Sequence, residues 1–238
     1  LKWNEIIIGD LLIDTYLRFK PNPHFNINDI FVWRLLWQIF RDYDRANQYF
    51  KRHKPIAYLT SYATYLDHGI ACRVALKHKI AVYSFGTFNQ FGKELTIEHD
   101  THTPNCINYQ AIFSKLEIKQ KLILLEQAKD FLNFRLNGGI DLATSYMHQS
   151  AYSSSYSEIN PIEFKDSVIV FLHDFYDSPH VWQGLLFTDF WEWIVYTIET
   201  LEGAGIPFYI KPHPNQIKLS DVALKKLRKK YPHIKLLD

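Results

Sequence analysis

Cysteine is scarce in this 238-residue chain, which has only Cys72 and Cys106. Neither has the short spacing of a metal knuckle or a redox pair, so the simplest expectation is a reducing compartment and a cytoplasmic protein. Long apolar runs are missing as well. No stretch approaches the roughly 20 residues that cross a bilayer, and no signal peptide stands at the start. Charge of one sign is also lacking: 27 basic residues face 25 acidic ones, for a net +2. That balance argues against a dedicated nucleic-acid binder, which usually carries one strongly basic face. Position 1 is Leu rather than Met, and the chain stops at Asp238 just after Ile234-Lys235-Leu236-Leu237, which reads as the opening of a strand. A piece of a longer protein, truncated in its last domain, is the expectation.

Apolar and aromatic residues are plentiful, at 47% and 16%, enough to fill the cores of two modest domains. Locally, Lys225, Lys226, Arg228, Lys229 and Lys230 form a basic run. The plainer reading is a solvated helix face; the other is contact with anionic lipid or an anionic substrate.

Periodicity orders the chain. Ile30, Phe31, Leu35, Ile39 and Ala46 place apolar residues on one face of a helix over 27–50, capped by Asn26 or Asn28. Residues 55–60 read as a strand, 66–78 as a helix and 80–85 as a second strand, a βαβ unit of the size of a parallel crossover. A loop region containing a short extended piece follows over 85–104. A long helix over 115–137 stops at Gly138-Gly139. Residues 143–165, with Ser153, Ser154, Ser155 and Ser157 among tyrosines, form the linker candidate. The alternation then restarts with a strand at 168–172, a helix from about Phe187 to Glu202, a strand at 206–210, a helix from about Ser220 to Lys230 and a strand at Ile234. The expected architecture is α/β with two Rossmann-like halves: residues 1–142, the linker 143–165, and a partial second half over 166–238.

Two polar clusters end the strands of the second half: His173-Asp174-Phe175-Tyr176-Asp177-Ser178-Pro179-His180 and Ile210-Lys211-Pro212-His213-Pro214-Asn215. Both should sit at the carboxyl edge of one parallel sheet, where open α/β sheets bind ligands. The prolines flanking His213 hold the backbone extended and aim its imidazole. Such a ring can donate to a phosphate or protonate a leaving group, and Lys211 and Asn215 suit the same anion. The plainer reading is a strand-ending turn with a surface histidine. In the first cluster, His173 with Asp174 and Asp177 with His180 form acid–imidazole pairs suited to proton transfer, while Asp177 and Ser178 also suit a simple turn cap. A metal draws three or four ligands, and no such set assembles from the spacing, so neither metal nor cofactor is expected.

In the first half, Asp67 stands where a hydroxyl-rich strand end enters a helix, as a helix cap or as a general base. Asp10 and Asp14 share one side of an apolar run; the plainer reading is a surface or first-turn role, the other a carboxylate pair at a cleft. Ser84 to Gln90, with Gly86, could line the same crevice, and His99, Asp100 and His102 read as a lid or a ligand set. Trp182 beside the loop suits stacking on a sugar or a base.

These two clusters, with Phe187-Thr188-Asp189-Phe190-Trp191-Glu192-Trp193, resemble bacterial capsule and surface-polysaccharide biosynthesis proteins of the GT-B glycosyltransferase type. The His-Pro pair is similar to the motif of bacterial sialyltransferases, Kdo transferases and teichoic-acid glycerophosphotransferases. The resemblance is most specific over 168–215. It implies a nucleotide-sugar donor in the second half, with its phosphate bound by His213, Lys211, Asn215, Ser178 and His180. It further implies a glycan or lipid-linked acceptor in the first half and a setting at the inner face of the cell membrane, with peripheral association. Asp177, His173 and Asp67 are the candidate catalytic groups. The chain departs from the pattern in lacking the paired acidic residues before glycine that supply the base in some of these enzymes. Two other classes stay open: a non-catalytic glycan- or nucleotide-binding subunit, and a metal-dependent hydrolase built on His173, Asp174, Asp177 and His180.

Overall fold

The computed structural model describes residues 1–85, 92–103, 108–141, 150, 152, 164–214 and 216–237. They divide into two compact units, one made of 1–103 together with 166–238 and the other of 104–165. This grouping differs from the expected series 1–142, 143–165 and 166–238, and most of the expected linker lies outside the described residues.

In the larger unit, β1 (Lys2–Trp3) and β2 (Ile6–Ile7) pair antiparallel. The turn between them places Asn4 and Glu5 at φ 44° and 70°, the left-handed pair that suits a two-residue hairpin. Helix α1 (Gly9–Phe19) buries Leu11, Leu12, Tyr16 and Leu17. Helix α2 (Ile30–His53) buries Val32, Leu35, Ile39, Tyr43 and Phe50, a stripe at helical spacing that faces the core. Its cap is Asp29, whose carboxylate accepts from the Phe31 amide at 2.9 Å, so the helix begins later than Asn26 or Asn28 would have placed it.

Strands β3 (Ala57–Thr60) and β4 (Ala81–Phe85) pair in parallel around α3 (Tyr65–Lys77), the expected crossover unit. The short extended piece expected within 85–104 is β5 (Gly92–Leu95), which adds antiparallel to β4. Helix α3 lies close on α1. A Cβ on Gly69 would stand 2.4 Å from a Leu11 methyl and 2.9 Å from the Ala63 carbonyl oxygen.

The carboxyl-terminal part repeats the theme. β6 (Val168–Phe171) and β7 (Phe208–Lys211) pair in parallel around α6 (Phe190–Gly203), and α7 (Lys218–Lys230) follows. Leu236 bridges in parallel to Ile210, where a strand opening at Ile234 was expected. Helix α6 starts after Asp189 rather than at Phe187, because the Asp189 carboxylate accepts from the Glu192 amide at 2.8 Å. Val170, Ile194, Ile198, Ile210, Ala223 and Leu227 make this part's core. The chain is therefore mixed α/β with small open sheets, ordered β3-β4-β5 and β6-β7.

The smaller unit holds α4 (Tyr109–Ser114) and α5 (Ile118–Leu136), the latter opened by a reciprocal cap between Glu117 and Gln120 and closed by Gly138 at φ 85°. Among the described residues no helix is long and apolar enough to cross a membrane.

Candidate functional site

The parallel register of β6 and β7 brings both polar clusters to the same end of one small sheet. There the imidazoles of His173 and His213 lie 5.9 Å apart, centroid to centroid. His173 also stacks on Phe190, at 4.7 Å and 17° between planes, which fixes its ring. A cavity of about 190 Å³ opens beside it, lined in part by Phe171, His173, Phe187, Phe190 and Trp193. Burial, then the charge of neighbouring His173, holds the His213 pKa below the usual histidine value. At neutral pH His213 is thus a neutral ring, able to donate one N–H and accept at its other nitrogen. Lys211 ends β7, its carbonyl accepting from the Leu172 amide at 2.8 Å. Asn215 lies outside the described residues.

Asp177 occupies a central place. Its carboxylate is 4.0 Å from His173 Nδ1, and its charge reaches His213, His102 and the Tyr65 hydroxyl. The half-exposed carboxylate accepts from the next backbone amide, Ser178, at 2.9 Å. The other members of the first cluster face elsewhere. Asp174 is buried and accepts from the Tyr176 amide, the Ile217 amide and the Ser220 hydroxyl at 2.9, 2.7 and 2.8 Å, which ties the loop after β6 to the start of α7. Ser178 lies in hydrogen-bonding reach of Tyr65, the first residue of α3, which holds a left-handed backbone at φ 57°. Such a conformation is costly for an aromatic residue and persists only where its surroundings enforce it.

His180 turns to α1. Its Nδ1 lies 2.6 Å from Asp14 Oδ1, a contact spanning 166 residues of sequence. The Asp14 side chain is 2% exposed and that of His180 19%. Burial pushes the Asp14 carboxyl up to about 6, against the hydrogen bond from His180. Burial alone would lower His180, but the bond and charge of Asp14 prevail and raise it. The pair holds a proton more tightly than its members would apart. A second clamp spans nearly the same interval, with Asp189 accepting from the Phe25 amide at 2.8 Å and pairing with His24 Nδ1 at 2.9 Å.

The remaining candidates of the first half have other partners. Asp67 accepts from the Gln38 side-chain Nε2 at 2.9 Å and lines a different cavity, about 610 Å³, between α1 and α2. Asp10 stands in the first turn of α1, the plainer of its two readings, and grips Arg73 through both oxygens at 2.7 and 2.5 Å rather than forming a carboxylate pair with Asp14. Arg73 Nε stands 2.6 Å from Asp100 Oδ2, near enough for charge pairing though poorly angled for a hydrogen bond. His102 Nδ1 accepts from the Ala63 amide at 3.3 Å, and burial, with the charges of Lys93 and His68, takes its pKa down to about 4. Cys72 is fully buried, and burial pushes its thiol up to about 11, which leaves no thiolate for chemistry. Gly86 to Gln90 lie outside the described residues.

Among the described residues no group of three or more His, Cys, Asp or Glu side chains is placed to hold a metal ion. The rim can instead offer an anion the N–H of the neutral His213 ring, with the carboxylate of Asp177 beside it placed to take a proton. Sequence reasoning missed the Asp14–His180 fastening, the Tyr65 contact and the Asp189 clamp. One signal was available: Asp14 interrupts the apolar run Leu11-Leu12-Ile13, and a carboxylate on a buried helix face requires a partner. Comparison with family models, with curated proteins and with solved structures found no match for this chain.

Proposed function

We propose that the chain is a glycosyltransferase-like enzyme of bacterial capsule or surface-polysaccharide biosynthesis, moving a sugar from a nucleotide-activated donor to a glycan acceptor. The observation that carries this reading is the 5.9 Å approach of the His173 and His213 rings across the ends of parallel β6 and β7. Two imidazoles so close repel one another when both are charged, and a phosphate between them removes that repulsion. The donor diphosphate would therefore bind with N–H donation from His213, and its binding would draw a proton onto the pair. In the transfer step the acceptor hydroxyl attacks the anomeric carbon and the bond from that carbon to the phosphate oxygen breaks. The hydroxyl proton passes to Asp177, and the leaving phosphate is stabilised by the imidazole N–H.

The two βαβ units, β3-α3-β4 and β6-α6-β7, support a reading as the cores of two Rossmann-like halves of GT-B type, acceptor side first. With it comes a cytoplasmic setting at the inner face of the membrane. The test is a thermal-shift screen with nucleoside diphosphates and nucleotide sugars, since a ligand that binds only the folded state raises its stability. His213→Ala should abolish the shift and His173→Ala weaken it, with the unliganded melting temperature nearly unchanged. An undiminished shift in His213→Ala would remove the donor site from this rim. Intact nucleotide binding without turnover would make the protein a binding subunit.

A further inference from the structure

Helix α2 is apolar on two faces. The inner one, Val32, Leu35, Ile39, Tyr43 and Phe50, is core. On the outer one Ile30, Trp33, Trp37 and Phe40 recur at helical spacing and are 74%, 68%, 63% and 36% exposed. At 3.6 residues per turn these four fall within an arc of about 80°. Beside them Arg34, Arg41, Arg45 and Arg52 fall within about 40° of one another. Trp3 extends the apolar ridge, its ring 4.6 Å from that of Phe40, and the Arg41 guanidinium lies over Trp37 at 5.0 Å. Of the four arginines only Arg41 has an ion-pair partner among the described residues, Asp42 at 2.9 Å.

We propose that this outer face of α2 docks the protein on an anionic phospholipid bilayer, with the helix lying in the plane of the interface. A tryptophan ring is amphipathic and settles at headgroup depth, while isoleucine and phenylalanine beside it enter the acyl boundary. The arginine ridge meets lipid phosphates with planar, forked donors. A second copy meeting this face symmetrically with its own fits poorly, because Asp44 is the only exposed carboxylate on the helix to meet an arginine ridge. A sugar chain fits it less well too. The 610 Å³ cavity uses the tryptophan flanks, but Ile30 and Phe40 lie outside its lining and carry no group that hydrogen-bonds a hydroxyl. Two other regions also present exposed apolar or basic groups, helix α5 with Leu122 and Leu125 and helix α7 with Lys225 and Lys229, so the test must separate them. This inference does not depend on the transferase reading.

The experiment is co-sedimentation of the full chain with phosphatidylcholine vesicles, with and without phosphatidylglycerol, at low and high salt. The wild-type chain should bind the anionic vesicles and release them as salt rises. Trp33→Ala with Trp37→Ala should weaken binding at least about tenfold. Arg34→Gln with Arg45→Gln should weaken it roughly thirtyfold at low salt and remove about half of the salt dependence, since Arg41 and Arg52 remain. All four side chains are exposed, so melting temperatures should stay at the wild-type value. Leu122→Gln with Leu125→Gln, and separately Lys225→Gln with Lys229→Gln, should bind as wild type does. No preference for anionic vesicles, or binding lost in either control but kept in the tryptophan variant, would overturn the proposal. So would fluorescence quenching by a soluble oligosaccharide without vesicle binding.

Discussion

His180 sits against a carboxylate that is 2% exposed, whereas His213 sits against another imidazole. The first ring is biased toward its protonated form and the second toward its neutral form. His173 and His180 lie on one loop of eight residues, yet His173 faces the rim and His180 fastens that loop to α1. A dense polar stretch in a sequence therefore need not be a dense active site, because half of its groups can be spent on holding the other half in place.

The contrast can be broken most forcefully at His180. Replacing it by alanine strands a buried carboxylate, and His180→Ala should lower the unfolding free energy by about 3–5 kcal/mol in urea titrations. A loss below about 1 kcal/mol would mean that Asp14 is solvated and the fastening is incidental.

The dependence on pH comes next in size. His102 has a folded pKa of about 4, below the unfolded value near 6.5, so the unfolded chain binds more protons between these limits. Its contribution is present above about pH 6.5 and is lost as pH falls toward 4, on the order of 3 kcal/mol in all. Asp14 has the opposite sign: with a folded pKa of about 6, its contribution is present in acid and is lost as pH rises from about 4 through 6. The two windows overlap, so the wild-type stability curve should be shallow there. His102→Gln should tilt it toward greater stability in acid and Asp14→Asn toward less. Chemical denaturation at a series of pH values measures both, and equal slopes in the two variants would refute the opposed tuning.

A smaller effect is expected where α3 meets α1. Gly69→Ala forces a methyl against Leu11 and the Ala63 carbonyl and should cost about 1–3 kcal/mol. It should leave nucleotide shifts at the β6–β7 rim intact, since no rim histidine rests on that contact. The smallest change in stability belongs to His173→Ala, within about 0.5 kcal/mol, because the ring is 44% exposed.

Much of the fold was legible because it is written in short-range patterns. The buried stripe of α2, the crossover units at 57–85 and 168–211, and the glycine stop after α5 all follow from apolar spacing and local capping. Helix starts slipped by a few residues: Asn26, Asn28 and Asp29 competed for the cap of α2, and α6 was begun on the apolar Phe187 ahead of its cap Asp189. The short extended piece expected within 85–104 is strand β5, but its bounds and its partner were not legible, because Gly92-Lys93-Glu94-Leu95 has little β-propensity and is held by pairing with β4. At the site, the meeting of His173 and His213 was readable from two parallel strand ends. The partner of His180 was not, since a contact across 166 residues leaves no trace in local spacing.

Strand β6 has a consequence of its own. Among the described residues it pairs only with β7, so its far side is a sheet edge, with backbone donors and acceptors outside the ladder. Val168, Ile169 and Phe171 are all exposed along it, with no lysine or proline inside the strand to discourage further pairing. Concentrated solutions should therefore accumulate edge-to-edge β-aggregates nucleated at residues 168–171, and a lysine in place of Phe171 is the substitution that would keep such preparations clear.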